Sequence, residues 1–202
     1  MFPTGFRHLR GYFSAEQQRG LLSLVDDIAA QAPPYRPTMP RSGKPLSVTM
    51  TNAGQLGWVT DKERGYRYQT THPVTGAPWP AIPDALLQLW DDVADYPAPP
   101  EACLINFYFE GARMGSHIDA DEDDFSAPVV SVSLGDEAIF HVGGPKRSDP
   151  KTRLVLSSGD VVVLGGQSRR AYHGIDRVRP GTSHLIAGGG RINLTLRRVT
   201  RP

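Results

Sequence analysis

The hydrophobic pattern divides the chain into a helical N-terminal part and a C-terminal part of short strands. Residues 13–30 carry apolar side chains at helical spacing behind Ser14, and Gln17 three positions later completes the pattern of a capping box. Residues 83–94 repeat this spacing after a proline and predict a second helix. Between the two, residues 32–80 are rich in Pro, Gly, Thr and aromatic side chains, which favours turns and short strands with little core of their own.

After residue 100 the pattern changes to short apolar runs bounded by Gly and Asp, from CLINFYF at 103–109 to RINLTLR at 191–197. Runs at such close spacing favour an antiparallel barrel or sandwich over a parallel sheet wrapped by helices. We therefore predict a mainly β fold with flanking helices (α+β), in which the helices pack outside a double-sheet β core. Because no linker or internal repeat is visible, we expect one domain over residues 1–202.

Composition narrows the class of protein. Of 202 residues, 39% are hydrophobic, and 22 Lys and Arg balance 21 Asp and Glu, which excludes fibrous and disordered classes. The single cysteine, Cys103, has no disulfide partner and lies in an apolar run that predicts a buried strand. No run approaches the roughly 18 apolar residues of a membrane span, and the first residues lack the apolar run of a signal peptide. We expect no membrane association and a cytoplasmic location.

The formal net charge of +1 conceals an uneven distribution. Residues 1–80 hold nine basic and five acidic residues, residues 81–140 hold one and thirteen, and residues 141–202 hold twelve and three. The near-neutral total thus averages an acidic middle with two basic ends that can follow phosphates. The charge is therefore compatible with a polyanionic partner.

The strongest candidate for a metal site is the segment SHIDADED (116–123), which contains two residues of the types that bind metals. His117 and Asp119 are separated by one residue, so in an extended strand both side chains point to the same face and can reach one ion. His173 follows a strand-like run 54 residues after Asp119 and can supply a third ligand. Two histidines and one carboxylate are the facial triad of non-haem Fe(II) oxygenases. An exposed acidic turn is the alternative interpretation of this stretch.

Two predicted strands combine a polar face with an apolar face. In RINLTLR the polar face consists of Arg191, Asn193, Thr195 and Arg197. In CLINFYF, Asn106 and Tyr108 share a face with Leu104. Polar groups among apolar neighbours on two strands indicate a polar pocket inside the barrel, and the arginines suit a small dicarboxylate. A solvated, Arg-rich edge strand is the alternative for 191–197.

Together these motifs resemble the AlkB family of Fe(II)- and 2-oxoglutarate-dependent dioxygenases. The resemblance rests on His117-x-Asp119, His173 and the strand at 191–197, and it covers nearly the whole chain. Further segments match in order and spacing: MTNAGQLGW (50–58), CLINFYFEGARMGSHIDADE (103–122), APVVSVSLG (127–135) and GDVVVLGGQSRRAYHGI (159–175). These segments resemble the nucleic-acid repair enzymes of bacteria. The combination is highly specific, whereas HxD…H alone would admit any 2-oxoglutarate oxygenase.

The resemblance implies a double-stranded β-helix (jelly-roll) core over residues 96–202, preceded by N-terminal helices and a nucleotide-recognition lid in residues 1–95. The implied Fe(II) ligands are His117, Asp119 and His173. The implied 2-oxoglutarate pocket is lined by Asn106, Tyr108, Arg191, Asn193 and Arg197, with Arg191 and Tyr108 favoured for the distal carboxylate. The implied substrate contacts are Trp58, Tyr66, Asp121, Glu122 and Arg147, with the flipped base stacked between Trp58 and His117. Without the resemblance, Trp58 and Tyr66 would be interpreted as core aromatic residues under a loop.

The implied reaction is oxidative N-demethylation of alkylated bases, of the 1-methyladenine and 3-methylcytosine type, by direct reversal repair. It uses Fe(II), 2-oxoglutarate and O2 and releases formaldehyde, succinate and CO2. The expected partner is alkylated single-stranded DNA, with duplex DNA and RNA as alternatives, and the expected state is a monomer. Two other hypotheses stay open: a 2-oxoglutarate dioxygenase that acts on a protein, a lipid or a small molecule, and a non-catalytic module that senses damaged nucleic acid.

Overall fold

The computed structural model describes residues 2–202, and both predicted helices are present in it. Helix α1 (Ala15–Gln31) begins after Ser14, whose hydroxyl accepts the backbone N–H of Gln17 while the Gln17 side chain accepts the N–H of Ser14. This is the predicted capping box. Helix α2 (Asp84–Val93) begins after a proline and ends one residue before the predicted boundary.

Twelve β-strands lie in the described chain, residues 2–202. The first four are β1 (Phe6–Leu9), β2 (Thr49–Gly54), β3 (Gly57–Asp61) and β4 (Gly65–Gln69). The next four are β5 (Ala102–Tyr108), β6 (Met114–His117), β7 (Val129–Gly135) and β8 (Glu137–Val142). The last four are β9 (Thr152–Leu156), β10 (Val161–Leu164), β11 (His173–Arg179) and β12 (Arg191–Arg197), and a 3₁₀-helix at Gly166–Arg170 lies between β10 and β11.

Two antiparallel sheets form the core. The larger has the strand order β1-β10-β7-β12-β5-β2 and the smaller has the order β6-β11-β8-β9. Strands β5 to β12 therefore cross repeatedly between two facing sheets, which is the connectivity of the predicted jelly roll. The mainly β fold with flanking helices is confirmed.

The strands of the larger sheet separate two layers of core. On its outer face Ile105 and Leu194 pack with the apolar residues of α1 and α2, among them Leu21 and Trp90. On its inner face Leu104 and its neighbours pack toward the smaller sheet. Because alternate residues of a strand point to opposite faces, one short run such as 103–109 serves both layers. The inner layer encloses the space in which the candidate site lies.

The N-terminal half contributes more to the core than the sequence predicted. Strand β1 pairs with β10 and β2 pairs with β5, so both extend the larger sheet. Met50 and Ala53 of β2 are 1% and 0% exposed, which corrects the expectation that residues 32–80 have little core. Strands β3 and β4 form a separate two-stranded sheet, called here the lid hairpin (57–69).

Cys103 lies in β5 with no exposed surface, as its apolar run predicted. Burial raises the pKa of its thiol to about 12, so the side chain behaves as a small apolar group. Neither of the α-helices formed by the described residues is both long and apolar enough to cross a bilayer.

Candidate functional site

A cavity of about 700 Å³ extends from the space between the two core sheets to the lid hairpin. This volume lies within the range of small-molecule sites. Its wall includes most of the residues that the sequence singled out: Trp58, Tyr66, Asn106, Tyr108, His117, Asp119, Asp121, Arg147, His173, Arg191, Asn193, Thr195 and Arg197. The fold thus brings the predicted ligands, the predicted polar strands and the lid aromatics to one place.

The predicted metal triad converges in this cavity. His117 ends β6 and His173 begins β11, and the two are register partners. Their Nε2 atoms lie 3.8 and 3.7 Å from the two carboxylate oxygens of Asp119. Their Nδ1 atoms donate to the carbonyls of Gly115 at 2.9 Å and Ala171 at 3.0 Å, which leaves each Nε2 lone pair for a metal. The ligand atoms lie within 4.8 Å of one another, an arrangement and donor set that suit Fe(II).

The electrostatics keep these ligands in the protonation states that a metal requires. Burial alone would raise the pKa of Asp119, but the charge of Arg197, helped by His173 and His117, holds that pKa well below its ordinary value. Burial, helped by His117, lowers the pKa of His173 to about 4. At neutral pH the carboxylate is therefore ionised and the His173 imidazole is neutral.

Arg191 is a buried cation that faces the cavity without a carboxylate partner among residues 2–202. It is 2% exposed, its guanidinium lies 5.0 Å from the centroid of the Tyr108 ring, and its Nη2 donates to Ser133 Oγ at 3.0 Å. Its Nε and Nη1 and the Oδ1 of Asn106 lack hydrogen-bond partners in the described part of the chain. Burial lowers the pKa of Arg191. Unpaired buried donors are costly, so this end of the cavity fits a ligand carboxylate.

The other end of β12 approaches the metal triad. Arg197 donates from Nη2 to Oδ1 of Asp119 at 2.7 Å. Between the two arginines, Thr195 donates to the Asn193 side chain at 3.0 Å, and Asn193 donates to Ser131 Oγ at 2.7 Å. Strand β12 is buried along its whole length between β5 and β7, which confirms the two-faced strand. The alternative of a solvated edge strand is wrong.

The lid aromatics stand at the exposed end of the cavity. The rings of Trp58 in β3 and Tyr66 in β4 are stacked, with centroids 5.5 Å apart and an interplanar angle of 22°. The Trp58 indole donates to Asp121 at 2.7 Å, and Tyr66 is 50% exposed. The side chain of His117, at the same cavity, is 38% exposed. Tyr66 is thus an exposed aromatic residue, whereas Trp58 is half-buried and packs against the inner layer of the core. Both rings line the cavity.

The remaining two expected substrate contacts occupy different surroundings. Arg147 is exposed and lies 5.2 Å over the Tyr172 ring, and both residues line the cavity. Glu122, in contrast, has a side chain that is only 1% exposed and is not part of the cavity wall. Its carboxylate is bound to Arg169 and Tyr68. Glu122 is thus buried outside the cavity wall, and the interpretation as an exposed acidic turn is wrong for this residue.

Sequence reasoning missed these two partners of Glu122. Tyr68 lies opposite Trp58 in the lid hairpin and shares a face with Tyr66, so the spacing of two in YRY was an available signal. Arg169 lies in the 3₁₀-helix and donates to the backbone carbonyl of Asp119 at 2.6 Å. Nothing in the local sequence GGQSRR separates this buried arginine from its exposed neighbour.

Comparison with known proteins agrees with this geometry. The family model of the 2OG-Fe(II) oxygenase superfamily matches residues 5–197. The chain is 53% identical over 197 residues to the alpha-ketoglutarate-dependent dioxygenase AlkB homolog of Caulobacter vibrioides, over 96% of this chain and 88% of that protein. It is 47% identical over 191 residues to the alpha-ketoglutarate-dependent dioxygenase AlkB of Escherichia coli, over 93% and 86%. The solved structure of OsALKBH1 matches with a TM-score of 0.85 and 30% identity, over 98% of both chains.

Nucleic-acid substrates appear in the names of two further relatives. The tRNA demethylase abh1 of Schizosaccharomyces pombe is 31% identical over 172 residues, which cover 77% of this chain and 57% of that protein. The DNA N(6)-methyladenine demethylase ALKBH1A of Arabidopsis thaliana is 41% identical over 113 residues, which cover 53% and 33%. These relatives bear on the class of substrate.

Proposed function

The chain belongs to the AlkB family of the 2OG-Fe(II) oxygenase superfamily, and from this membership we propose that it repairs alkylated single-stranded DNA by oxidative N-demethylation. It is a dioxygenase whose cofactor is Fe(II) and whose co-substrates are 2-oxoglutarate and O2. The relatives that act on DNA and tRNA support a nucleic-acid substrate. Preference for single-stranded DNA, a monomeric state and a cytoplasmic location are parts of the proposal.

The side chains of the cavity would share the work as follows. His117, Asp119 and His173 would hold Fe(II), and Arg191 would bind the distal carboxylate of 2-oxoglutarate beside Tyr108. When bound, Fe(II) with 2-oxoglutarate and O2 supplies the oxidation of the N-methyl carbon, which leaves as formaldehyde while 2-oxoglutarate is converted to succinate and CO2.

The near-metal end adds two further functions of the chain itself. Arg197 fixes the Asp119 carboxylate through the 2.7 Å bond, so the ligand is oriented before a metal arrives. Asn193 and Thr195 fill the wall between the arginines with satisfied hydrogen bonds, which keeps this part of the pocket rigid.

The lid supplies the substrate slot of the proposal. A methyl group on a Watson–Crick nitrogen lies inside a duplex, so the target base has to be unpaired or flipped out, and a single strand costs least. A base between Trp58 and His117 would stack on the indole, whose ring is itself stacked with that of Tyr66. Bases such as 1-methyladenine and 3-methylcytosine are cationic, so the indole face and the Asp121 carboxylate both favour them.

One observation carries the proposal: a single cavity contains the ligand triad, a buried guanidinium with two unpaired nitrogens, and a stacked aromatic pair at its exposed end. The decisive experiment is mass spectrometry of methylated oligonucleotides before and after incubation with the enzyme, Fe(II), ascorbate and 2-oxoglutarate. Single-stranded DNA, duplex DNA and RNA of one sequence are compared. We expect each repaired lesion to lose the mass of one CH2 group, because N–CH3 becomes N–H, and the loss to be fastest on single-stranded DNA, whose bases need not be flipped out of a duplex. Metallated protein that leaves every methylated oligonucleotide unchanged would refute nucleic-acid repair.

Trp58→Ala separates a base from another kind of substrate. It removes the stacking surface but leaves the triad and Arg191 in place. We expect loss of demethylation with retained binding of 2-oxoglutarate. Succinate formation on a protein, lipid or small molecule that survives this substitution would instead favour a dioxygenase with a different substrate.

A further inference from the structure

A buried cluster of charges lies directly behind the metal triad. It consists of Asp119, Glu122, Arg169, Arg197 and the phenol of Tyr68. The four charged residues are 8%, 5%, 2% and 6% exposed, in that order. Two carboxylates and two guanidinium groups balance each other away from water. Because a buried charge is stable only when it is paired and hydrogen-bonded, each member depends on the others for its position.

The contacts of this cluster fix Asp119 from two directions. Arg197 donates to the Asp119 side chain at 2.7 Å, and Arg169 donates to the Asp119 backbone carbonyl at 2.6 Å. Arg169 also donates to Oε2 of Glu122 at 2.8 Å, while Nε of Arg197 lies 3.6 Å from Oε1. Glu122 therefore contacts both of the arginines that hold the metal ligand Asp119 in place.

The lid hairpin contacts Glu122 through Tyr68. Its hydroxyl donates to Oε1 of Glu122 at 2.5 Å and lies 3.5 Å from Nη1 of Arg197. Burial raises the pKa of this phenol, so the hydroxyl keeps its proton as a donor at neutral pH. Tyr68 is the register partner of Trp58. A continuous path of hydrogen bonds thus runs from Tyr68 in β4 through Glu122 and Arg169 to the metal ligand Asp119.

We propose that Tyr68 and Arg169 are positioning residues that couple the lid hairpin to the iron centre through Glu122. Neither residue lines the cavity, so neither contacts the base or 2-oxoglutarate there. By thermodynamic reciprocity, metal binding at Asp119 stabilises the hairpin, and an ordered hairpin strengthens metal binding. The lid is then fully ordered only over an occupied metal site. This inference rests on the proposed Fe(II) site.

The test uses Mn(II), a redox-stable substitute for Fe(II), with the whole protein. The metal dissociation constant is measured from the EPR signal of free Mn(II), and hydrogen–deuterium exchange is measured for amides 57–69 with and without Mn(II). We expect Arg169→Met to weaken Mn(II) binding about tenfold to a hundredfold, the usual effect of removing a partner of a metal ligand. Tyr68 acts one bond further away, through Glu122 and Arg197, so we expect Tyr68→Phe to weaken binding by about tenfold at most. We expect Mn(II) to slow hairpin exchange in the wild type and not in Tyr68→Phe.

Matched control variants are available for both substitutions. Tyr96→Phe removes a tyrosine hydroxyl that donates to Asp124 at 2.8 Å, outside the cluster. Arg170→Met removes an arginine whose guanidinium lies 5.0 Å over the Phe125 ring, as that of Arg169 does at 5.1 Å. Within the described chain Arg170 makes no hydrogen bond or ion pair with the cluster, whereas Arg169 does. Both controls should bind Mn(II) and protect the hairpin like the wild type.

The outcomes separate the inference from the function on which it rests. Wild-type protein that binds no Mn(II) overturns the metal site itself. Normal wild-type binding with an unaffected Tyr68→Phe overturns the coupling alone, and so does weakened binding with unchanged metal-dependent protection of the hairpin. Tyr68→Phe removes one oxygen and no charge, so it decides the question even if Arg169→Met fails to fold. A residue with a purely structural role would lower the melting temperature and leave the metal-dependent protection intact.

Discussion

The indole nitrogen of Trp58 donates to the Asp121 carboxylate across 2.7 Å and joins the lid hairpin to the loop that carries Asp119. The bond fixes the orientation of the aromatic face at the cavity. It also puts a negative charge at the edge of the slot in which a base would stack. The Asp121 side chain thus has two roles, as a hydrogen-bond acceptor and as a negative charge, and the two can be tested separately.

Asp121→Asn keeps an acceptor for the indole and removes the charge. We expect the rate on 3-methylcytosine, a cationic base, to fall about tenfold, since one attractive charge pair near a protein surface contributes on the order of 1 kcal/mol or more. The rate on 3-methylthymine, an uncharged base, should change less. Mass spectrometry of single-stranded oligonucleotides gives both rates, and Asp123→Asn in the same acidic stretch is the control. An equal loss on both bases would contradict the electrostatic role.

Arg191→Lys tests the dicarboxylate end of the cavity. Lysine keeps the positive charge but loses the planar fork, so we expect the KM for 2-oxoglutarate to rise about tenfold to a hundredfold, while the KM for the oligonucleotide stays unchanged. Ser133→Ala removes only the 3.0 Å bond to Arg191 and should alter the 2-oxoglutarate KM far less. A change confined to the oligonucleotide KM would place Arg191 elsewhere in the reaction.

Asp119→Ala removes the carboxylate ligand. We expect no measurable Mn(II) binding and no demethylation. Arg197 also loses its 2.7 Å partner, so the melting temperature should fall and folding has to be verified by circular dichroism. The protein is then expressed in bacteria that are sensitive to methylating agents, and survival is compared with the wild type. Full protection by Asp119→Ala would support a non-catalytic sensor of damage instead of an enzyme.

The metal-free protein should lose stability as the pH falls from neutrality toward pH 4. The pKa of His173 is lowered to about 4 in the folded state, below the ordinary value of 6.5, so the unfolded chain takes up the proton first. The contribution of neutral His173 is complete above about pH 6.5 and is lost toward pH 4, a difference of about 3 kcal/mol. Urea unfolding of the wild type and His173→Gln over this range measures it. Parallel pH profiles would contradict the assignment.

The parts of the fold that the sequence predicted depend on local patterns. The capping box at Ser14 and the polar and apolar faces of strand 191–197 each depend on a few neighbouring residues. They can therefore be predicted without knowledge of tertiary contacts. The spacing of two in HxD made His117 and Asp119 candidates for one ion, because it places both side chains on one face of an extended segment. The complete triad with His173 followed from the family resemblance.

The missed features depend on partners far away in the chain. Glu122 lies in an acidic run that looks exposed, and only Arg169, 47 residues later, makes its burial possible. Tyr68 resembles Tyr66 in sequence, yet Tyr68 is half-buried with its hydroxyl on Glu122, and Tyr66 is exposed. Strand β2 was hidden in a segment rich in turns because its pairing with β5 is a long-range contact.

The lid hairpin is a sheet of its own, in which β3 and β4 pair with each other. Residues 57–69 therefore share no strand pairing with the jelly roll, and the Asn52 side chain joins the hairpin to β2 through two 3.0 Å bonds to the Trp58 backbone. Evolution and protein engineering can exchange this hairpin to alter which base is accepted, while the machinery for oxidation is inherited unchanged. The proposed coupling through Glu122 adds one requirement. A hairpin transferred from a related protein has to carry a tyrosine at position 68 to function in this chain.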